Sequence, residues 1–297
     1  MADQLNQVFF PSTYAELFSA WERFPHAVPY AGGTGLIYRQ GGRILELPSV
    51  ILSLERLEEM HRISRSERFL EIGAMVNLNR IIDLGKIVPG ALRLCLENIA
   101  GQQLRNLATF GGNICFSGWR TDCPAALIAL DAQFELRGAQ SAGWISALRF
   151  FIGTCSPDNP NNPDNSGYLS YPGGLVPTAL SPGELLTRVR IPLDHWDYSA
   201  YKKFARQEYR GRALVFLAKT QKNILSDIRV VYKSDSILRD KNIESVLIGK
   251  RLPLSRRIAD EFVERWEAFL AEAKDGNELS RKETVNFIET NVYNLTE

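Results

Sequence analysis

Residues 29–38 read PYAGGTGLIY and place three glycines within four positions, directly after an apolar approach. A chain uses glycine at this density where the backbone needs a positive φ or where another group comes very close to it. Successive exposed backbone N–H groups in such a turn form a nest that binds anions. The segment therefore predicts either a tight turn or a cradle for a phosphate group.

A second glycine-rich segment, RNLATFGGNICFSGWRTDCPAALIALDA at residues 105–132, contains the pair Gly111–Gly112. Two independent turns are the better explanation of either segment alone, and composition names no ligand. Polar side chains in both segments can nevertheless add hydrogen bonds to phosphate oxygens. These side chains are Thr34 in the first segment and Thr109, Asn113 and Ser117 in the second.

The composition excludes several classes of protein. The chain has 297 residues and a net charge of +1, and 45% of its residues are hydrophobic, which is ordinary for a soluble globular protein of one large or two smaller domains. A nucleic-acid-binding protein would need a basic stripe, and no apolar run has the length of a membrane span. The first ten residues, MADQLNQVFF, lack the pattern of a secretory signal. We therefore expect a cytoplasmic protein.

The sequence contains no recognisable motif for a metal site or for a catalytic nucleophile. The four cysteines are widely spaced, without a C-x-x-C pair, so neither a zinc site nor an iron–sulfur cluster is predicted. The nucleotide-binding patterns G-x-x-x-x-G-K-[ST] and G-x-G-x-x-G do not occur, and neither do H-E-x-x-H and G-x-S-x-G. We expect reduced and mostly buried thiols.

The order of the predicted elements favours an α+β fold. Thr13 and Glu16 have the spacing of a capping box, and aromatic residues at helical spacing predict a helix over about 14–24. A loop rich in Pro, Asn, Asp and Gly at 154–174 precedes the strand-like runs LLTRVRIPL, ALVFLAKTQ and DIRVVYKS. A long amphipathic helix follows and ends near Asp275–Gly276. Ser280 and Glu283 are predicted to cap the last helix.

The two glycine-rich segments together resemble the FAD-binding, or medium, subunit of the molybdenum hydroxylases. This family includes the flavoprotein subunits of xanthine dehydrogenase and carbon monoxide dehydrogenase. AGGTGL, LRNLATFGGNIC and DCPAALIALDA look like its A-G-G-T, I-R-N-x-A-T-I-G-G-N and P-A-L-L-A-L-D-A motifs, in the same order. Weaker similarity spans nearly the whole chain, in LEIGAMVNL, TALSPGELLTRVRIP, YKKFARQEYRGRALVFLA and IESVLIGKRLPLSRRIADEF.

The resemblance implies an α+β fold in two parts. The first is an FAD-binding unit of the vanillyl-alcohol-oxidase-like (PCMH) type over residues 1–180, with subdomains at about 1–55 and 56–180. The second, over residues 181–297, is a small C-terminal domain with an antiparallel sheet and helices. FAD would lie between these parts.

The resemblance also implies a set of residues that bind FAD. Residues 32–35 are expected to wrap the pyrophosphate through backbone N–H groups, and Asp122 is expected to accept hydrogen bonds from ribityl hydroxyls. Lys203 matches a family lysine near the flavin ring, where a cation would favour reduced, anionic flavin; a solvated surface lysine is an equal alternative. The implied set is Ala31, Gly32, Gly33, Thr34, Gly35, Leu36, Thr109, Gly111, Gly112, Asn113, Ser117, Asp122, Leu180 and Lys203.

The sequence departs from the family pattern at two glycines. Gly35 stands where relatives have Asp or Ser, which removes one side-chain partner and leaves the cradle to backbone N–H groups and Thr34. Gly211 stands where the family often has Asp. The loop at 154–174 is also longer than the family pattern implies.

The resemblance implies an electron-transfer subunit of a molybdenum-hydroxylase-type oxidoreductase. Substrate would be oxidised at a molybdenum cofactor in a large partner subunit. Electrons would pass through [2Fe–2S] clusters on a small partner to FAD in this chain, and from there to NAD⁺ or another acceptor. Two alternatives stay open. One is a flavoprotein oxidoreductase that works alone, and the other is a structural or assembly subunit whose flavin site has degenerated.

Overall fold

A computed structural model describes residues 6–40, 46–116, 123–152, 179–204, 212–234, 237–273 and 277–296 of the chain. The strands are β1 (Gln7–Phe9), β2 (Val28–Tyr30), β3 (Val50–Ser53), β4 (Ile63–Arg65), β5 (Phe69–Gly73), β6 (Gln133–Arg137), β7 (Ala142–Ser146), β8 (Leu185–Pro192), β9 (Tyr198–Phe204), β10 (Arg212–Gln221), β11 (Ile224–Lys233) and β12 (Ile237–Leu238). The helices are α1 (Tyr14–Arg23), α2 (Thr34–Arg39), α3 (Leu78–Ile82), α4 (Gly90–Glu97), α5 (Gln102–Leu107), α6 (Phe110–Cys115), α7 (Cys123–Ala129), α8 (Ala147–Ile152), α9 (Lys241–Ser245), α10 (Arg256–Glu272) and α11 (Glu278–Tyr293).

Two compact units divide the chain. The first consists of Met1–Val88, Ile99–Thr121 and Asp131–Leu193, and the second of Pro89–Asn98, Asp122–Leu130 and Asp194–Glu297. The second unit thus takes two short segments from the N-terminal half of the chain. The division into domains at residue 180 stays a prediction.

A small parallel sheet in the order β1-β3-β2 opens the first unit. α1 lies against β3 and buries Leu17, Phe18 and Trp21, which confirms the predicted aromatic helix. The Thr13 hydroxyl oxygen accepts the N–H of Glu16 at 3.2 Å. The Glu16 carboxylate accepts the N–H of Ser12, one residue earlier than in a capping box.

An antiparallel sheet in the order β4-β5-β8-β6-β7 completes the first unit. In β5 and in the second half of β8, buried residues alternate with half-buried ones, as in strands with one apolar and one polar face. Leu70, Ile72 and Val189 are buried. Between Leu70 and Ile72, the Glu71 carboxylate pairs with Arg188 at 3.0 Å and Arg190 at 2.7 Å. The polar face is therefore held by ion pairs between neighbouring strands.

The second unit is built on an antiparallel sheet in the order β12-β11-β10-β9. α10 and α11 cover one face through a cluster that includes Phe216, Trp266 and Ile288. α4 and α7 contact the same strands, and every residue of α7 is buried. The first seven residues of β10 are buried without alternation, as expected of a strand covered on both faces.

The end of the chain agrees with the predicted helices except at one cap. α10 is the predicted long helix, and its predicted stop, Asp275–Gly276, lies outside the described residues. The prediction that Ser280 caps the last helix is wrong. The Asn277 side chain accepts the N–H of Ser280 at 2.9 Å and so begins α11 earlier. Glu283 instead pairs with Arg212 at 2.9 Å. No helix in the described part of the chain is long and apolar enough to span a membrane.

Candidate functional site

The first glycine-rich segment forms a turn between β2 and α2. Gly33 has φ +68° and ψ −11°, in the left-handed region, and its carbonyl accepts the N–H of Ile37 at 3.1 Å. Among the described residues, no acceptor is recorded for the backbone N–H groups of residues 32–36. A left-handed residue followed by right-handed ones directs successive N–H groups into one concavity. The segment therefore offers a ready-made anion nest.

The second glycine-rich segment uses its N–H groups differently. The N–H of Gly111 donates to the Ala74 carbonyl at 2.8 Å, and that of Asn113 to the Thr109 carbonyl at 2.9 Å. The N–H of Gly112 donates to the Thr109 hydroxyl oxygen at 3.1 Å. These three donors are already paired within the protein. This segment can therefore bind a ligand mainly through hydrogen bonds of the Thr109 and Asn113 side chains.

The Asn113 side chain has a hydrogen-bond acceptor that the described part of the protein leaves unused. Its Oδ1 atom is buried and has no hydrogen-bond partner in the part of the chain that the structure describes. A buried unpaired acceptor costs about 1–3 kcal/mol relative to a paired one. This atom is therefore a candidate for a hydrogen bond from a bound molecule.

The structure brings the two glycine-rich segments into direct contact. A Cβ added to Gly32 would overlap the Leu107 carbonyl oxygen and would lie 3.3 Å from Cα of Ala108. A Cβ added to Gly35 would lie 2.5 Å and 2.7 Å from two ring carbons of Phe116. Both contacts lie within the first unit. The nest and the Thr109–Asn113 segment are thus two walls of one site.

The remaining predicted site residues are only partly joined to these walls. Ala31 and Leu36 are half-buried in the first segment. Leu180 follows Ala179, whose N–H donates to the Phe150 carbonyl at 3.0 Å. Lys203 lies in the second unit, where its Nζ donates to the carbonyl of Asn98 at the end of α4, at 3.3 Å. Outside the described residues lie Ser117, Asp122, Gly211 and the loop at 154–174.

The site holds little chemistry of its own. Burial raises the pKa of the Cys115 thiol, at the end of α6, to about 12, so this thiol is neutral at physiological pH and a poor nucleophile. No group of three or more His, Cys, Asp or Glu side chains that could hold a metal ion occurs among the described residues.

Sequence reasoning missed the aromatic side chains around the nest. The Phe116 ring lies against Gly35, and a Cβ on Gly33 would collide with the hydroxyl of Tyr30. Tyr38 makes an edge-to-face contact with Phe116, with ring centroids 6.5 Å apart. Aromatic residues flanking both glycine clusters were a visible signal, but the sequence does not show that they meet.

Comparison with known proteins places this chain in a family. Residues 4–194 match the family described as the FAD binding domain in molybdopterin dehydrogenase. The glyceraldehyde dehydrogenase medium chain of Sulfolobus acidocaldarius is 28% identical over 230 residues, which cover 75% of this chain and 74% of that protein. The carbon monoxide dehydrogenase medium chain of Afipia carboxidovorans is 28% identical over 258 residues, covering 84% of this chain and 81% of that protein.

The fold agrees with a solved structure of this kind. A chain of reconstituted carbon monoxide dehydrogenase from Oligotropha carboxidovorans matches with a TM-score of 0.76 and 24% identity, over 98% of this chain and 97% of that chain. The predicted α+β fold is confirmed, and the family match over residues 4–194 agrees with the predicted FAD-binding unit. Because the family match covers more than half of the sequence, this chain belongs to the FAD-binding (medium) subunits of the molybdenum hydroxylases, as an oxidoreductase subunit whose cofactor is FAD.

Proposed function

We propose that this chain carries the flavin through which electrons leave a molybdenum-hydroxylase-type oxidoreductase. The observation that carries the proposal is the nest of N–H groups at residues 32–36, which have no acceptor among the described residues. The nest contacts Leu107, Ala108 and Phe116, which flank the Thr109–Asn113 segment. FAD has a pyrophosphate that needs such donors and hydroxyl groups that need acceptors.

The residues of both walls fit FAD. The nest can take the pyrophosphate without a charged side chain, because several backbone N–H groups converge on one anion. The Thr109 hydroxyl accepts the N–H of Gly112, so its own proton is available for a phosphate oxygen. The Asn113 Oδ1 atom, which has no partner among the described residues, can accept a hydrogen bond from a cofactor hydroxyl or amine.

The other predicted residues keep their roles as parts of this proposal. Asp122 would accept hydrogen bonds from ribityl hydroxyls, and Ser117 would add a hydroxyl group near the phosphates. Leu180 would give an apolar contact. Lys203 would supply a positive charge near the ring. Its hydrogen bond to the Asn98 carbonyl would hold the ammonium group in place.

The chemistry that FAD supplies is exchange between one-electron and two-electron carriers. This chain's residues bind the cofactor, limit its access to water and set its local charge. Because no ferredoxin-like cysteine spacing occurs in the sequence, the one-electron carriers would be the [2Fe–2S] clusters of a small partner. A large partner would hold the molybdenum cofactor, and NAD⁺ or another acceptor would take the electron pair. We propose a cytoplasmic complex.

The proposal is tested by purifying this chain from its host under conditions that keep its partners bound. The partner subunits carry no tag. We expect co-purification with one larger and one smaller subunit, and bleaching of the flavin absorbance when the complex is given its oxidisable substrate under anaerobic conditions. Turnover of a small substrate by the chain alone would favour the stand-alone flavoprotein instead. A complex that forms without any flavin would favour the structural subunit.

A further inference from the structure

Phe116 occupies the space that a side chain at position 35 would need. A Cβ on Gly35 would lie 2.5 Å from Cδ2, 2.7 Å from Cε2 and 3.2 Å from Cγ of the Phe116 ring. Real Cβ atoms essentially never come within 3.0 Å of another heavy atom. A side chain at position 35 would therefore require the Phe116 ring to move.

The main chain of Phe116 belongs to the other wall of the site. Its N–H donates to the Gly112 carbonyl at 2.9 Å and ends α6. Its ring reaches across to α2, where it contacts Gly35 and meets the Tyr38 ring edge to face, at 6.5 Å between centroids and 79° between planes. One side chain thus joins the nest to the Thr109–Asn113 segment.

We propose that Phe116 is a positioning residue for FAD and that position 35 is glycine because the Phe116 ring replaces its side chain. This inference rests on the proposed function, since it assigns a role toward the same cofactor. The contact between Phe116 and Gly35 exists before FAD binds. Less conformational entropy is therefore lost when the site binds the cofactor. The ring also keeps water from one side of the Gly35 backbone, and hydrogen bonds to an anion are stronger where water is excluded.

The inference makes Gly35 and Phe116 an energetically coupled pair. Gly35→Ala adds a methyl group against the ring and must displace it, so FAD affinity falls. In a Phe116→Ala chain the three ring atoms nearest to this methyl group are gone, so Gly35→Ala should cost less there. Contacting residues are where such non-additive effects arise.

The test is a double-mutant cycle of FAD dissociation constants, measured by quenching of flavin fluorescence on apoprotein. We expect Phe116→Ala to weaken binding about tenfold and Gly35→Ala about tenfold or more, the loss of one or two preorganised contacts. The double variant should bind no more weakly than Phe116→Ala alone. Gly143→Ala is the matched control, because a Cβ there would have no heavy atom within 4 Å; Phe10→Ala controls for loss of an exposed ring.

Thermal unfolding of each apoprotein separates folding from positioning. If Phe116→Ala fails to fold, Phe116→Leu and the single Gly35→Ala variant carry the test, and both should lower affinity while the apoprotein melts like the wild type. Unchanged affinity in Phe116→Ala, tighter binding, or an equal effect of Gly35→Ala in both backgrounds would overturn the inference. Absence of FAD binding by the wild-type chain would instead remove the proposed function.

Discussion

The main-chain carbonyl oxygen of Leu107 stands where a Cβ on Gly32 would have to go. This contact joins the last residue of α5 to the turn that precedes α2. It explains why the first of the three glycines is needed, independently of any ligand. It also brings the two glycine-rich segments of the sequence to one site.

Gly32→Ala should damage both the fold of this site and its ligand binding. The added methyl group cannot coexist with the Leu107 carbonyl, and overpacking of this kind costs about 1–3 kcal/mol. We expect a lower melting temperature of the apoprotein and loss of measurable FAD uptake. Gly90→Ala is the control, since its Cβ would make only an ordinary contact, 3.5 Å from the Ser199 hydroxyl oxygen. A Gly32→Ala chain that binds FAD normally would show that the two walls need not touch.

Asn113→Ala should separate stability from binding. Because Asn113 Oδ1 has no partner among the described residues, its removal should leave the free energy of unfolding of the apoprotein unchanged or slightly raised. FAD affinity should fall by about 1–3 kcal/mol, the scale for losing a buried hydrogen bond. Isothermal titration of variant and wild type measures this difference. A drop in apoprotein stability without a change in affinity would make Asn113 a structural residue.

Lys203→Met should act on the reduction potential of bound FAD more than on its affinity. Removal of a positive charge near the ring disfavours the reduced anion, and for a two-electron couple about 30 mV corresponds to a tenfold change in the equilibrium constant. We expect a lower potential in spectroelectrochemical titration. A lysine that only caps α4 through the Asn98 carbonyl would change the melting temperature and leave the potential where it was.

Glu71→Gln should weaken the dependence of the free energy of unfolding on pH in the acidic range. Burial raises the pKa of this carboxyl, but hydrogen bonds and charges from Arg190 and Arg188 outweigh burial and hold the pKa below its ordinary value of 4.5. A depressed carboxyl pKa contributes stability that is present above the unfolded-state value and is lost as pH falls through the folded-state value. Urea unfolding should therefore show the wild type more stable at pH 7, with the difference shrinking below about pH 4.5. If the difference in stability between wild type and variant stays constant as the pH is lowered, the charge of the Glu71 carboxylate is not its source.

Local patterns in the sequence predicted much of the fold. Aromatic residues at helical spacing predicted α1, and apolar runs predicted β8, β10 and β11. The cap of α11 was missed because Asn277 and Ser280 are both good capping residues, and the earlier one takes the role. No local pattern shows that α4 and α7, from the N-terminal half, lie on the sheet of the second unit, since that depends on contacts between distant segments.

The candidate site was predictable in its parts and less so in its assembly. The glycines and Thr109 stand out in the sequence, and resemblance to a family named their ligand. The sequence could not show that the N–H groups of Gly111 and Asn113 are already paired, so we propose the N–H groups of residues 32–36 for the pyrophosphate. Nor could it show that Phe116 fills the space beside Gly35. The Gly111–Ala74 bond and the Phe116–Gly35 contact join segments about 40 to 80 residues apart, whereas the Asn113 N–H is paired locally with Thr109, at the start of α6.

The central claim is that two contacting glycine-rich walls hold FAD, and titration of the purified apoprotein with FAD tests it most directly. Visible absorbance and quenching of flavin fluorescence should saturate at one FAD per chain, and Gly32→Ala should abolish the signal while Gly90→Ala retains it. A wild-type chain that is folded by circular dichroism and takes up no FAD at any concentration would contradict the account.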